Sequence, residues 1–263
     1  MMGHSHAVTG AAAWVAVSCT VPGALGLYPM PLNGVLLGAV VCAGAALLPD
    51  ADHPHATIAQ SIPVLGKAGA NTVSGIAGGH RHGTHSLAAV PLMLGLAWLL
   101  QFAVVRPEWW FAPIWWGAFF AVAPLMAFSM KVLKAVGSWR SAWLVGVPVG
   151  AVVALCAPDY PGWVSWALVT GFVTHLLGGF LTIGGLPLLW PWNPKPPKAL
   201  HHMPIVRLVW MRNGYFALPV LWKTGSVLEW VLVALVWVCL LWILAAQVLF
   251  ELGALGAVMG FES

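Results

Sequence analysis

Ten histidines and two aspartates carry the chemistry that this sequence could do, because they are gathered rather than scattered. The histidines fall as His4 and His6, His53 and His55, then His80, His82 and His85, a solitary His175, and the pair His201 and His202. Asp50 and Asp52 stand just before His53. Neutral imidazole and carboxylate are good ligands for first-row dications, and a dication offsets the cost of burying carboxylates. Thiolates do not join the set. Cys19, Cys42, Cys156 and Cys239 are spaced singly through apolar runs and read as small buried apolar residues. A nitrogen and oxygen donor set suits Zn²⁺ first and Mn²⁺ second. An ion with an open position would lower the pKa of bound water and supply a nucleophile.

The elements that must position these groups are membrane helices. The chain of 263 residues is 60% hydrophobic and 7% charged. Soluble domains carry roughly 25% charged residues, so this balance belongs to a chain solvated by lipid. Seven apolar spans are expected, at 7–27, 31–48, 86–105, 113–130, 140–157, 162–182 and 225–250. No alternation of polar and apolar residues suggests strands, so the fold class is all-α, a polytopic transmembrane bundle of about seven spans. The whole of 1–263 reads as a single membrane domain. The 17 tryptophans fit the headgroup zone, and the net charge of +4 fits topology rather than a nucleic-acid partner. No Lys or Arg precedes the first apolar run, so a cleavable signal peptide is not expected.

Orientation follows from the basic residues. Lys67 and Arg81 lie between spans two and three, and Lys131, Lys134 and Arg140 between four and five. Lys195, Lys198, Arg207, Arg212 and Lys223 lie between six and seven, which leaves only Arg106 on the other side. This bias places the three loops and the N-terminus in the cytoplasm, and the tail ending Glu262-Ser263 outside. Two of these loops, 49–85 and 183–224, are too long for turns and should carry short interfacial or re-entrant helices.

On that topology the histidines and aspartates meet at one membrane face. His6 opens span one, Asp50, Asp52 and His53 follow span two, and His80 to His85 lead into span three. About 13 residues at ~1.5 Å each place His175 roughly 20 Å along span six, near its cytoplasmic end. Each group has a plainer reading. Asp50 after Pro49 could be a polar helix terminus, and His80 and His82 ordinary loop residues. His4, His201 and His202 read as surface residues. Glu229 near the start of span seven either snorkels to the interface or faces the site. His175 is the exception, since an ionisable group inside a span is functional by default.

Several runs also resemble a known family, the membrane-bound metal-dependent hydrolases of the YdjM/YbcI type. The runs are Ser5-His6-Ala7-Val8-Thr9-Gly10, Leu48-Pro49-Asp50-Ala51-Asp52-His53-Pro54 and Gly79-His80-Arg81-His82-Gly83-Thr84-His85-Ser86. His175-Leu176-Leu177, Leu181-Thr182-Ile183-Gly184-Gly185 and Leu189-Trp190-Pro191 complete the likeness, which covers roughly 3–195 and leaves an interfacial segment and last span at 196–250. The resemblance implies His6, Asp50, His80, His85 and His175 as metal ligands, with Asp52 and His53 ligating or standing just behind them. Arg81 would hold an anionic group of the substrate. The family usually has His-x3-Asp in its sixth span, whereas here Gly179 follows His175. The number of ions, one or two, therefore stays open, with Asp52 or Glu229 as substitutes for the missing carboxylate.

Three functions follow as expectations. The first is a cytoplasm-facing hydrolase of a phosphoester or lipid-linked substrate, with Asp52 as general base and Arg81 steadying developing charge. The second is a metal or ion transporter, disfavoured because the ionisable residues gather at one end. The third is an inactive membrane adaptor of the same fold, motivated by Gly179.

Overall fold

The computed structural model describes residues 1–62, 64–157, 159–200 and 202–253. The expected outer placement of the tail, and the surface reading of His201, lie outside those residues. Nine α-helices are present among the described residues: α1 (Gly3–Ser18), α2 (Leu32–Ala45), α3 (Leu65–Ala77), α4 (Ala89–Leu99), α5 (Trp116–Val132), α6 (Trp139–Cys156), α7 (Trp163–Phe180), α8 (Pro204–Val209) and α9 (Val227–Glu251). One two-residue hairpin, Val104–Val105 with Ile114–Trp115, is the only strand pair among them.

Each expected span contains a helix, but seven crossings are not confirmed. Four helices are long and apolar enough to cross a membrane by length and composition: Leu32–Asp52, Trp139–Cys156, Trp163–Phe180 and Val227–Glu251. Ala89–Phe102 and Trp116–Val132 are shorter apolar helices. The first expected span is cut at Ser18 because the backbone turns extended at Cys19. Gly23 and Gly26 then adopt positive φ, which continues no right-handed helix. Sixteen residues rise only about 24 Å, short of the ~30 Å of a hydrocarbon core. Two short helices, α3 and α8, do lie within the two long connections.

Helices α1, α2 and α7 pack mutually, with α5 on α2, α6 on α5, α4 on α7 and α9 on α1. Small residues set these approaches. A Cβ on Gly10 would stand 2.9 Å from the Cys42 carbonyl oxygen, and one on Gly171 would strike the same oxygen from α7. A Cβ on Gly44 would fall on the Leu125 carbonyl of α5. Between helices in lipid, packing rather than hydrophobic transfer drives association, and small residues allow it. Trp14, Val35, Val41, Val122, Leu125 and Val164 fill the core. Cys19 and Cys42 are buried as expected, whereas Cys156 and Cys239 face outward. Helix α9 turns most of its apolar surface away from the protein.

Candidate metal centre

The centre forms where three elements end or bend. Helix α2 runs on through a 3-10 turn, Leu48–Asp52, whose early Pro49 needs no backbone donor and which presents Asp50. A second 3-10 turn, Gly83–His85, presents His85 just before α4. Helix α7 presents His175, one turn beyond the Gly171 contact with α2. Ligand atoms of Asp50, His85 and His175 all lie within 4.8 Å of one another. His175 Nε2 is 3.2 Å from His85 Nε2, and Asp50 Oδ1 is 3.5 Å from His85 Nε2 and 3.8 Å from His175 Nε2. Donors about 2.0–2.1 Å from a tetrahedral ion stand roughly 3.4 Å apart, close to these edges.

The tautomers point the same way. His175 Nδ1 donates to the Ala46 carbonyl at 2.7 Å, which leaves a lone pair on Nε2. Thr84 Oγ1 donates to Asp52 Oδ2 at 2.6 Å, so its oxygen accepts from His85 Nδ1 at 3.0 Å. That assignment leaves His85 Nε2 as a second lone pair. Two lone pairs on buried rings and a partly exposed carboxylate oxygen converging at one point suit a cation between them. Burial alone disfavours charge on His85, but the carboxylates of Asp50 and Asp52 outweigh it and raise its pKa above the ordinary imidazole value. His6 adds a further observation. Its ring stacks on His175 at 3.8 Å, and its buried Nδ1 has no hydrogen-bond partner. The donor set thus fits a divalent ion, with His6 beside it as a spare donor.

The other expected residues lie around this trio. Asp52 is fully buried, and its oxygens face His80 Nδ1 at 2.7 Å, the Arg81 backbone N–H at 3.0 Å and Thr84. It thereby ties the 80–85 loop to the end of α2. His80 is 38% exposed, with its ring 6.0 Å from that of His85. His53 stacks edge-on against His80 at 4.4 Å and is not in the trio. Arg81 holds a left-handed backbone (φ 59°), and its guanidinium runs beside Gly184, where a Cβ would stand 3.1 Å from Nη1. His4 packs against Trp230, and His202 is exposed.

Two open points receive answers. Glu229 is fully buried and neither snorkels nor joins the trio. It accepts the Met2 N–H at 2.7 Å and the Gly225 N–H at 2.9 Å, pinning the start of α1 to α9. A Cβ on Gly179 would meet the buried Leu186 side chain at 3.0 Å, so an aspartate there would press on a leucine. Accordingly, Gly179→Asp is expected to lower thermal stability without raising the ion count, as elemental analysis and melting in detergent would show.

Sequence reasoning missed Thr84, the Ala46 carbonyl and Gly178. The first orients His85 and the second orients His175. Gly178 makes room for His6, since a Cβ there would stand 3.0 Å from its ring. The Thr84 hydroxyl was legible only as part of a motif. The other two are set by helix packing. Thr84→Val keeps the shape but removes the hydroxyl between His85 and Asp52. A loss of about 10- to 100-fold in metal affinity is expected by competitive chelator titration, as for other groups that orient ligands.

Comparison with known proteins adds a second line. Residues 1–129 match the family model described as YdjM inner membrane protein. Two curated relatives, the inner membrane protein YdjM of Escherichia coli (strain K12) and that of Shigella flexneri, are each 28% identical over 153 residues. That stretch is 57% of this chain and 48% of each relative, so the match spans about half the length of the curated relatives. No solved structure matches the chain. Through its first half, which holds every ligand candidate except His175, the chain resembles the YdjM inner membrane proteins.

Proposed function

We propose that the protein is a metal-dependent hydrolase embedded in an inner membrane, with its centre facing the cytoplasm. The observation that carries this reading is the convergence of His85 Nε2, His175 Nε2 and Asp50 Oδ1, each imidazole oriented by a bond at its other nitrogen. These three residues would hold a single ion, zinc or manganese, with His6 stacked on His175 beside it. When bound, the ion supplies Lewis acidity and a water of lowered pKa. The membrane assignment rests on the four long apolar helices and on the relatives' description. The cytoplasmic side, and further crossings by α1, α4 and α5 to make seven, rest on the distribution of Lys and Arg.

The chain's own groups then divide the work. Asp52 has its oxygens engaged by His80, Arg81 and Thr84, so its role is to orient rather than to accept the substrate's proton. His80 donates Nδ1–H to Asp52, which leaves Nε2 as a lone pair on a half-exposed ring: the proton acceptor of this reading. Arg81, held beside the Gly184 backbone, receives a phosphate oxygen. A phosphoester is the substrate that this arrangement of cation, arginine and base suits best.

The test is turnover of a soluble phosphodiester by detergent-purified protein, before and after chelation. Activity that is lost with chelator, restored by Zn²⁺ or Mn²⁺, and reduced about 10²- to 10⁴-fold in His80→Gln with metal retained would support it. Metal-loaded protein inert toward soluble and lipid phosphoesters would overturn it and favour the adaptor.

A further inference from the structure

Two neighbouring cavities lie beside the centre, one of them in contact with Asp50. The smaller, about 220 Å³, is lined by Asp50 together with Leu47, His55 and Ile58. The larger, about 560 Å³, lies between the start of α1, the end of α5 and the first half of α9. Gly3, Thr57 and Val132 line both, so the two share a wall. A Cβ on Gly3 would meet nothing closer than Leu47 at 3.9 Å, so that wall is loosely packed at this point.

The larger cavity has two chemistries. Lys131 and Lys134 line it from the end of α5. Neither ammonium pairs with a carboxylate among the described residues. Lys131 gives one hydrogen bond to the Gly137 carbonyl and keeps two donors. Lys134 sits just past the end of α5 with φ of 59°, where glycine is the usual residue. A lysine at any neighbouring position would satisfy topology, so the side chain is held at this point against backbone preference. Val8, Trp230 and Trp237 line the cavity from α1 and α9, with His4 against Trp230. The two tryptophans are 52% and 41% exposed, on a helix whose apolar face meets lipid. Trp237 lies ten residues into α9, or about 15 Å below its start. The groove therefore carries cationic groups and outward-facing indoles, one of them well along α9, and borders the smaller cavity that Asp50 lines.

We propose that this groove berths a lipid with an anionic headgroup, its head on Lys131 and Lys134 and its chain along Trp230 and Trp237. It thereby admits the lipid sideways from the bilayer toward Asp50. That the berthed lipid is also the hydrolysed one rests on the proposed function; the berth itself does not.

The test is native mass spectrometry of the detergent-purified full chain with phosphatidylglycerol or phosphatidylcholine of identical acyl chains. The parent is expected to retain phosphatidylglycerol at least about tenfold better, since its headgroup carries a net negative charge that phosphatidylcholine lacks. Lys131→Ala combined with Lys134→Gly is expected to bring the two lipids to parity. Lys134→Gly relaxes the backbone, and unchanged metal content and melting temperature would exclude misfolding. Equal retention by the parent, or unchanged preference in the double variant, would overturn the berth. Displacement of the lipid by millimolar inorganic phosphate would also overturn it, marking a free-anion site. In His85→Ala the preference should persist; its loss with the metal would mean that the ion, not the lysines, holds the headgroup. Preference retained in a protein without phosphoesterase activity would leave the berth standing and the hydrolase reading fallen.

Discussion

Replacing His85 by alanine is expected to strip the centre of its ion, with metal affinity falling by more than about 100-fold. The expectation follows from where His85 stands. Its Nε2 is the donor common to both other ligands, 3.2 Å from His175 and 3.5 Å from Asp50. Groups that merely orient a ligand are worth about 10- to 100-fold, so loss of a ligand must exceed that range and Thr84→Val must fall inside it. The ordering of these two variants is therefore part of the prediction. His85 ends a 3-10 turn rather than sitting within a spanning helix, so its removal should leave helical content unchanged by circular dichroism. Elemental mass spectrometry of parent and variant, purified side by side, gives the result. Equal metal in both would mean that the trio is a hydrogen-bonded cluster and not a ligand set.

How much of this was legible beforehand depends on which physical link is asked about. The helices were readable because apolar runs near 20 residues have few other solutions. Their ends were not, where Gly23 and Gly26 spent part of the first run on a turn. The gathering of histidines and aspartates was readable because they cluster in sequence at or near the ends of apolar runs. Which of them face a single point was not, because hydropathy holds no record of which helix adjoins which. His53 and His55 illustrate the gap. They occupy the same sequence neighbourhood as Asp50 yet turn toward His80 and each other, outside the trio. Asp52 illustrates another. As a sequence residue it looked free to act as a base, but three donors from the 80–85 loop occupy it. Such assignments depend on contacts across 28 to 32 positions of chain, which no local pattern encodes. Glu229 was ambiguous for the same reason: its partners are 227 residues away at Met2 and four away at Gly225.

The longest reach from packing to chemistry runs through Gly171, and its replacement by leucine is expected to cost both stability and the metal. Gly171 lies one turn before His175 on α7. A Cβ there would strike the Cys42 carbonyl of α2, and would stand 2.7 Å from Ala45 Cβ and 2.8 Å from the Ala46 nitrogen. Backbone atoms cannot move aside as a flexible side chain can, so α7 must retreat from α2. Overpacking of this kind costs about 1–3 kcal/mol, and the upper end is expected where the obstacle is main chain. The melting temperature in detergent should fall by several degrees. The retreat also separates His175 Nδ1 from the Ala46 carbonyl, the bond that sets its tautomer at 2.7 Å. A ligand whose second nitrogen loses its partner loses orientation, so metal affinity should drop alongside stability although no ligand has been changed. Gly95 on α4 provides the comparison, since a Cβ there meets nothing within 4 Å and Gly95→Leu should alter neither quantity. If Gly171→Leu melts early but binds metal as the parent does, the α2 to α7 approach supports the fold alone. If both fall together, the same glycine contact that closes the bundle also orients the ligand.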